Sequence, residues 1–130
     1  FEELVNKAAK LVEGLGLHFQ ISKLAAADCS HSMARTYDVE IWIPSMGIYK
    51  EVSSASNARD YQARRGMIRY RDKETGKTKF CHTLNASGLA TSRLFPALLE
   101  QNQQKDGSVI IPDALVPFMG GIKVLYPKKK

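Results

Sequence analysis

The chain has 130 residues, of which 44% are hydrophobic and 25% are charged, a composition typical of one soluble globular domain with its own core. No apolar run approaches the roughly 20 residues that span a bilayer, and the two cysteines lack metal-ligand spacing and are too few for a disulfide framework. These features exclude a membrane-spanning protein and a disulfide-stapled scaffold, and they predict free thiols. The net charge of +6 suits a polyanionic partner, although the terminal lysines at 128–130 contribute to it.

The first residues predict a helix followed by a strand. Residues 1–15 carry an apolar stripe with helical spacing, and Gly14 and Gly16 end it. Residues 17–22 then alternate apolar and polar side chains, which predicts a half-buried strand. The chain begins at Phe1, inside the helical repeat and without a signal-peptide pattern, so we expect upstream sequence to be missing.

Residues 25–36 predict a connector. Asp28, Cys29 and His31 lie in it, and all three are residue types that bind metals. Adjacent positions cannot supply a tetrahedral ligand set, and no second pair lies at a suitable interval. We therefore expect no metal site in the connector.

Residues 37–44 and 48–54 predict two antiparallel strands joined by a turn at 45–47. Strict alternation on the second strand places three residues on one face, opposite Lys50 and Val52: Tyr49, Glu51 and Ser53. The pair of strands is thus expected to have an apolar face and a face that carries carboxylates and hydroxyls.

The carboxylates on these strands leave three interpretations open. Two carboxylates on neighbouring strands can perform acid/base hydrolysis, as in glycosidases. Charged residues also occupy the solvated face of many sheets without further role. Finally, Glu51 alone can hold a divalent cation that bridges nucleotide phosphates.

An arginine-rich segment follows. Residues 60–65 have helical propensity, with Asp60 as a possible cap, and residues 67–71 and 78–84 predict a hairpin around a loop at 72–77. Two tyrosines, at positions 61 and 70, are interleaved with five arginines: Arg59, Arg64, Arg65, Arg69 and Arg71. This pattern suits RNA contact through phosphates and stacking, but arginines on an exposed β-ribbon usually serve only as a solubilising surface.

Residues 83–93 pass from the end of a strand into a helix. There Asn85 and Ser87 can hydrogen-bond a small polar molecule, and the guanidinium fork of Arg93 suits phosphate oxygens. In the alternative interpretation, Asn85 and Ser87 cap the helix and Arg93 is solvated.

The remaining residues predict a buried helix and short C-terminal elements. Pro96 is expected to kink the helix over 89–99 or to end a first segment. Residues 112–115 predict the start of a short helix that Gly120 and Gly121 end, and residues 109–111 and 124–126 are expected to be extended.

Five segments resemble motifs of one enzyme family, in the same order. Residues 36–44 and 50–57 resemble a strand and the ATP-binding segment that follows it, and residues 60–65 resemble the next signature. Residues 83–93 resemble the class II motif 3, and residues 112–120 resemble the C-terminal end. Taken together, the chain resembles seryl-tRNA synthetase, a class II aminoacyl-tRNA synthetase, most closely in its bacterial-type members.

The resemblance implies an α+β fold with an antiparallel β-sheet flanked by helices. It also implies that L-serine is activated with ATP to seryl-adenylate and then transferred to tRNA(Ser). Five residues are implied to bind ATP: Glu51, Val52, Ser53, Ser54 and Arg93. Of these, Glu51 would act through Mg²⁺ and Arg93, the implied catalytic residue, would hold the γ-phosphate. The serine-binding residues would be Asn85 and Ser87.

The same resemblance makes residues 1–130 the C-terminal portion of one catalytic domain. The tRNA-binding coiled coil, the dimer-forming motif 1 and the ATP-binding motif 2 of the family are absent from this chain, so we expect the chain alone not to form seryl-adenylate. The complete protein would be a homodimer without a membrane partner, in the cytoplasm or an organellar matrix.

One departure from the family leaves an alternative. Residues 28–33 carry Ser30 where the family has glycine and His31 where it commonly has an aromatic residue. The chain could therefore come from a synthetase-like paralogue that has lost aminoacylation and binds RNA or a protein partner.

Overall fold

An antiparallel sheet of four strands organises the chain, in the order β1-β2-β3-β6. The computed structural model describes residues 1–128. The strands of this sheet are β1 (Phe19–Lys23), β2 (Arg35–Ile43), β3 (Ile48–Arg59) and β6 (Thr83–Ala86). Two small pairs lie outside it, and they are β4 (Arg69–Arg71) with β5 (Thr78–Phe80) and β7 (Val109–Ile110) with β8 (Val124–Leu125).

Two long helices pack on this sheet and a short one follows β3. The helices are α1 (Glu2–Gly14), α2 (Tyr61–Gly66) and α3 (Thr91–Asn102). The longest has 13 residues, and within residues 1–128 no helix is long and apolar enough to cross a membrane. The predicted antiparallel sheet flanked by helices is confirmed.

The core lies on one face of the sheet. On β2, Val39, Ile41 and Ile43 alternate onto that face and are at most 5% exposed, because period-two alternation puts them on the same side. Both α1 and α3 pack against this face, and their buried residues in the cluster are Ala8, Ala9, Val12, Ala97 and Leu98. Since the two helices share one face, the opposite face of β2 and β3 carries the polar side chains.

The prediction of one continuous return strand over 78–84 is wrong, because the chain forms two separate strands there. β5 pairs with β4 in the exposed ribbon, whereas β6 pairs with β3 in the main sheet. The chain leaves the ribbon at Cys81, whose N–H donates to the carbonyl of Ile68 at 3.1 Å. β6 then continues to Ala86, and it brings Asn85 into the sheet next to Ser56.

Three further details differ from the sequence-based expectations. Asp60 precedes α2 but makes no side-chain cap; its carboxylate instead binds Arg64 at 2.5 Å. α3 is one helix across Pro96, so the alternative that Pro96 ends a first segment is wrong. The short C-terminal helix is a 3-10 helix at Val116–Met119 that begins later than predicted, and Gly120, with φ 63°, ends it. The final lysines at 129–130 lie outside the described residues.

Candidate functional site

Polar side chains line up in rows across β2, β3 and β6 on the face opposite the core. The pairing register defines three rows: Glu40 with Glu51, Asp38 with Ser54, and Thr36 with Ser56 and Asn85. In the third row, the buried hydroxyls of Thr36 and Ser56 are hydrogen-bonded to each other at 2.8 Å. The rows give one surface of carboxylates, hydroxyls and an amide.

A β-bulge decides which residues of β3 reach this surface. The register shifts between Val39 and Glu40, so that Val52 is the extra residue of the longer strand. As a result, Ser53 lies opposite Val39 and is fully buried, and Ser54 lies opposite Asp38. The expectation that Ser53 shares a face with Glu51 is therefore wrong, since strict alternation does not continue through a bulge.

Arg93 and Glu51 are in contact. The Nη1 atom of Arg93 donates to the main-chain carbonyl of Glu51 at 2.7 Å and lies 3.4 Å from its Oε2 atom. Both side chains are nearly half exposed, at 48% and 41%. The pair is therefore accessible to a ligand, and its guanidinium and carboxylate lie side by side at the end of the polar face.

The start of α3 brings the second part of motif 3 against β3. The N-cap residue is Ala90, whose N–H donates to the carbonyl of Val52 at 2.6 Å, and the cap has no side-chain hydrogen bond. The hydroxyl of Ser53 donates to the carbonyl of Ser87 at 2.7 Å. These contacts rule out the alternative in which Asn85 and Ser87 cap the helix.

The structure thus brings most of the sequence-predicted site residues into one region. Residues 51–53 contact both Ser87 and the start of α3 that carries Arg93, and Ser54 follows them on β3. Asn85 lies on the neighbouring strand with its side chain exposed. Val52 differs from the others, since its side chain is fully buried in the core and only its main chain can face a ligand.

Sequence reasoning gave no role to Asp38, which is the most unusual polar residue of the site. It is 7% exposed, and its Oδ1 atom has no hydrogen-bond partner among residues 1–128. Burial raises the pKa of Asp38, the Ser54 hydroxyl partly opposes this, and the nearby Glu51 and Glu40 carboxylates raise the pKa further. The only signal in the sequence was the alternation of residues 37–43, which puts Asp38 on the same face of the strand as Glu40.

The candidate site offers few protein side chains that could coordinate a metal ion. Within residues 1–128 no group of three or more His, Cys, Asp or Glu side chains could hold an ion, and this includes the connector around His31. Mg²⁺ is commonly bound by one or two carboxylates together with substrate phosphates. The accessible Glu51 carboxylate can serve as such a protein ligand beside substrate phosphates. It is not part of a group of three or more metal-binding side chains within residues 1–128.

The family comparison matches most of the chain. Residues 1–102 match the model of the tRNA synthetase class II core domain (G, H, P, S and T). Serine–tRNA ligase 2 of Clostridium acetobutylicum is 68% identical over 123 residues, and serine–tRNA ligase of Cellvibrio japonicus is 52% identical over 129 residues. These alignments cover 95% and 99% of this chain but 29% and 30% of the relatives, so the chain spans less than a third of their length.

Solved structures give the same result. Seryl-tRNA synthetase from Pyrococcus horikoshii, complexed with ATP, matches with a TM-score of 0.90 and 38% identity, over 98% of this chain and 28% of that one. Cytoplasmic serine–tRNA ligase from Naegleria fowleri, in complex with AMP, matches with a TM-score of 0.87 and 31% identity, over 98% and 26%. The resemblance to seryl-tRNA synthetases is confirmed, and the chain belongs to the class II tRNA synthetase core-domain family.

Proposed function

We propose that this chain is the C-terminal part of the catalytic domain of a serine–tRNA ligase, and that it carries half of the site in which L-serine is activated with ATP. The complete protein then transfers serine to tRNA(Ser). The names of the relatives and the nucleotides in the two matching structures support this assignment. The observation that carries it is the contact of Glu51 with Arg93 beside the polar face.

In this proposal, the nucleotide is bound by the two side chains of that contact, Arg93 and Glu51. The Arg93 guanidinium binds the γ-phosphate, because its planar fork matches phosphate oxygens. The Glu51 carboxylate would hold a Mg²⁺ ion together with the nucleotide, and the ion would supply neutralisation of the phosphate charge. The Nη1 atom of Arg93 lies 3.4 Å from the Glu51 carboxylate, and we expect the phosphate and the ion to replace this contact.

Residues 52–54 contribute in different ways to the same site. The buried Val52 can offer only its main chain to the nucleotide, and the hydroxyl of Ser53 supports the carbonyl of Ser87. Ser54, half-buried and next to Asp38, presents its hydroxyl on the polar face.

The amino-acid part uses the exposed side chains of Asn85 and Ser87. A pocket that hydrogen-bonds the serine hydroxyl rejects analogues without it far better than apolar contact does. The Ser53 bond to the Ser87 carbonyl holds this segment in place, which supports a fixed pocket. As further parts of the proposal, the complete protein is a homodimer and acts in the cytoplasm, where tRNA charging serves translation.

The test is serine-dependent ATP–pyrophosphate exchange by the full protein that the gene encodes. We expect exchange with serine and at least a hundredfold less with alanine, which lacks the hydroxyl. No exchange with any amino acid would refute the ligase and support the synthetase-like paralogue. The chain of residues 1–130, assayed alone, is expected to give no exchange, because it spans about 30% of the relatives.

A further inference from the structure

Three aromatic side chains meet at one end of the polar face, beyond the row of Glu40 and Glu51. Trp42 of β2 lies opposite Tyr49 of β3 in the next row, so both side chains share the face of the two carboxylates. The ring centroids of Trp42 and Tyr49 lie 5.1 Å apart. The imidazole of His18 stacks on Tyr49 at 5.6 Å and forms a T-shaped pair with Trp42 at 6.4 Å. The proposed function gives no role to this cluster of rings.

The rings border an open cleft with a volume of about 600 Å³, which we call the aromatic cleft. Six residues line it: His18, Trp42, Pro44, Tyr49, Glu100 and Gln101. His18 and Pro44 are exposed, and the other four residues are half-buried. A small molecule can therefore reach the rings from the solvent. Aromatic walls with a few fixed polar groups are typical of sites that bind small molecules.

Gln101, near the end of α3, holds the walls of the aromatic cleft in place. Its Oε1 atom accepts the N–H of His18 at 2.7 Å, and its Nε2 atom donates to the carbonyls of Trp42 at 2.8 Å and of His18 at 3.3 Å. The N–H of Trp42 also donates to the carbonyl of His18, at 3.0 Å. The Nε2 atom of His18 and the hydroxyl of Tyr49 are hydrogen-bonded at 2.5 Å. The cleft is therefore preformed, which lowers the entropic cost of binding a ligand.

Glu100 gives the aromatic cleft a negative charge. Its two carboxylate oxygens accept the N–H of Ser45 at 2.9 Å and the hydroxyl of Ser45 at 2.8 Å, and these neutral donors fix the carboxylate without cancelling its charge. Glu100 forms no ion pair within residues 1–128. Lys50 and Arg93 line a neighbouring cleft that Glu100 also borders, but neither lies within ion-pairing distance of it. Among the described residues, no lysine or arginine lines the aromatic cleft itself.

Aromatic rings together with an unpaired carboxylate suit an organic cation. The faces of aromatic rings attract cations, and Trp does so most strongly. The carboxylate adds a coulombic attraction that is stronger in a half-buried cleft than in bulk water, and it repels anions. A divalent metal ion prefers several oxygen ligands, and no group of three or more metal-binding side chains lies within residues 1–128. The carbon groups of an organic cation, in contrast, gain from burial against the rings.

We propose that the aromatic cleft binds an organic ammonium cation. The carbon groups around the nitrogen contact the rings of Trp42 and Tyr49, and the positive charge faces the carboxylate of Glu100. This position differs from those of the nucleotide and of serine in the proposed function, because Tyr49 precedes Glu51 by two residues, which is about 7 Å along a strand. The inference does not depend on the proposed function.

The test is an NMR titration of the full protein with choline and with its neutral isostere 3,3-dimethylbutan-1-ol, followed through the methyl resonances of each probe. The two probes have the same shape, so the difference between their Kd values isolates the effect of the charge. Trp42→Leu removes one ring of the aromatic cleft, and Glu100→Gln removes its charge. The matched control, Glu13→Gln, removes an exposed carboxylate on α1. The thermal midpoint of each protein shows whether it is folded.

We expect the wild type to bind choline about tenfold or more tightly than the neutral alcohol. Trp42→Leu and Glu100→Gln should each weaken choline binding about fivefold or more, whereas the control should stay within about twofold of wild type. If Trp42→Leu does not fold, Glu100→Gln and the two probes still decide the question.

Two results would overturn the proposal. The first is the absence of choline binding, or equal affinities for choline and the alcohol, which would leave only an apolar cleft. The second is a loss of choline binding in Glu51→Gln as large as the loss in Glu100→Gln, which would place the cation in the candidate site instead.

Discussion

Replacing Arg93 by alanine separates the role of this residue in chemistry from its role in the fold. Arg93 makes one hydrogen bond to a main-chain carbonyl and one longer contact to a carboxylate, both with Glu51. With 48% and 41% of the side chains exposed, the ion pair itself contributes little, since exposed pairs are worth about 0–1 kcal/mol. Adding the hydrogen bond, we expect the free energy of unfolding to fall by about 1 kcal/mol.

The expected loss of activity is much larger. If the guanidinium stabilises the charge that develops on the triphosphate, its removal costs about 3–4 kcal/mol of transition-state stabilisation, or roughly 10²–10³-fold in rate. The expected loss of transition-state stabilisation, about 3–4 kcal/mol, exceeds the expected loss of folding stability, about 1 kcal/mol, and this difference separates a catalytic role from a structural one. A residue with only a structural role would lower stability and activity together, whereas Arg93 should lower activity with the fold almost intact.

The assay is serine-dependent ATP–pyrophosphate exchange by the full protein, with urea unfolding of the same samples. Arg71→Ala is the matched control, because Arg71 is exposed on the β4–β5 ribbon and contacts only the carbonyl of Gly76, at 3.2 Å, among the hydrogen bonds of the described residues. This control should retain the exchange rate. An Arg93→Ala enzyme with exchange within threefold of wild type would refute the reasoning, and so would a variant that is inactive because it is unfolded.

Three further changes test other parts of the structure. Ser87→Ala should raise the KM for serine tenfold or more and leave the KM for ATP unchanged in the exchange assay, because the proposed contact is to the amino acid; an unchanged serine KM would exclude this contact. Asp38→Asn should raise the free energy of unfolding at pH 7 by about 1 kcal/mol, because it removes a buried charge without a full set of partners. The pKa of Asp38 is raised in the folded protein, so its protonated form favours folding at low pH and the gain of the variant should shrink as the pH falls through that pKa; a gain that is constant with pH would contradict this cause. Ile41→Ala should cost about 2–5 kcal/mol in urea unfolding, because Ile41 is fully buried. The same change at Ile21, which is 47% exposed, should cost less than about 1 kcal/mol, and equal losses at the two positions would contradict the assigned core.

The sequence predicted most of the fold, because its periodic elements carry strong local signals. The apolar stripe of residues 1–15 and the alternation of Val39, Ile41 and Ile43 correspond to α1 and to the buried face of β2. The division of the return strand could not be predicted in this way. β5 and β6 follow one another after a break of two residues, and only their different partners, β4 and β3, separate them.

The candidate site was predicted from motifs, and the geometry adds what motifs do not encode. The proximity of Glu51 to Arg93 joins residues 42 positions apart, and a spacing of that size carries no periodic signal. Asp38 had no predicted role, because its unsatisfied Oδ1 atom is a property of burial in the folded sheet. Ser53 was placed on the wrong face, since nothing in the local sequence marks the register shift beside it.

Val52 is the extra residue of a β-bulge, so its removal would not change which residues of β2 and β3 pair on either side of it. Deleting Val52 would leave Glu51 opposite Glu40 and Ser54 opposite Asp38, and the main loss would be one buried valine side chain, worth about 1.5–3 kcal/mol. Deleting Ala55 instead would turn every later side chain of β3 to the other side of the sheet. A scan of single-residue deletions should therefore find tolerated positions in β3 only at its two register shifts, at Val52 and at Ala58, and none elsewhere in the strand.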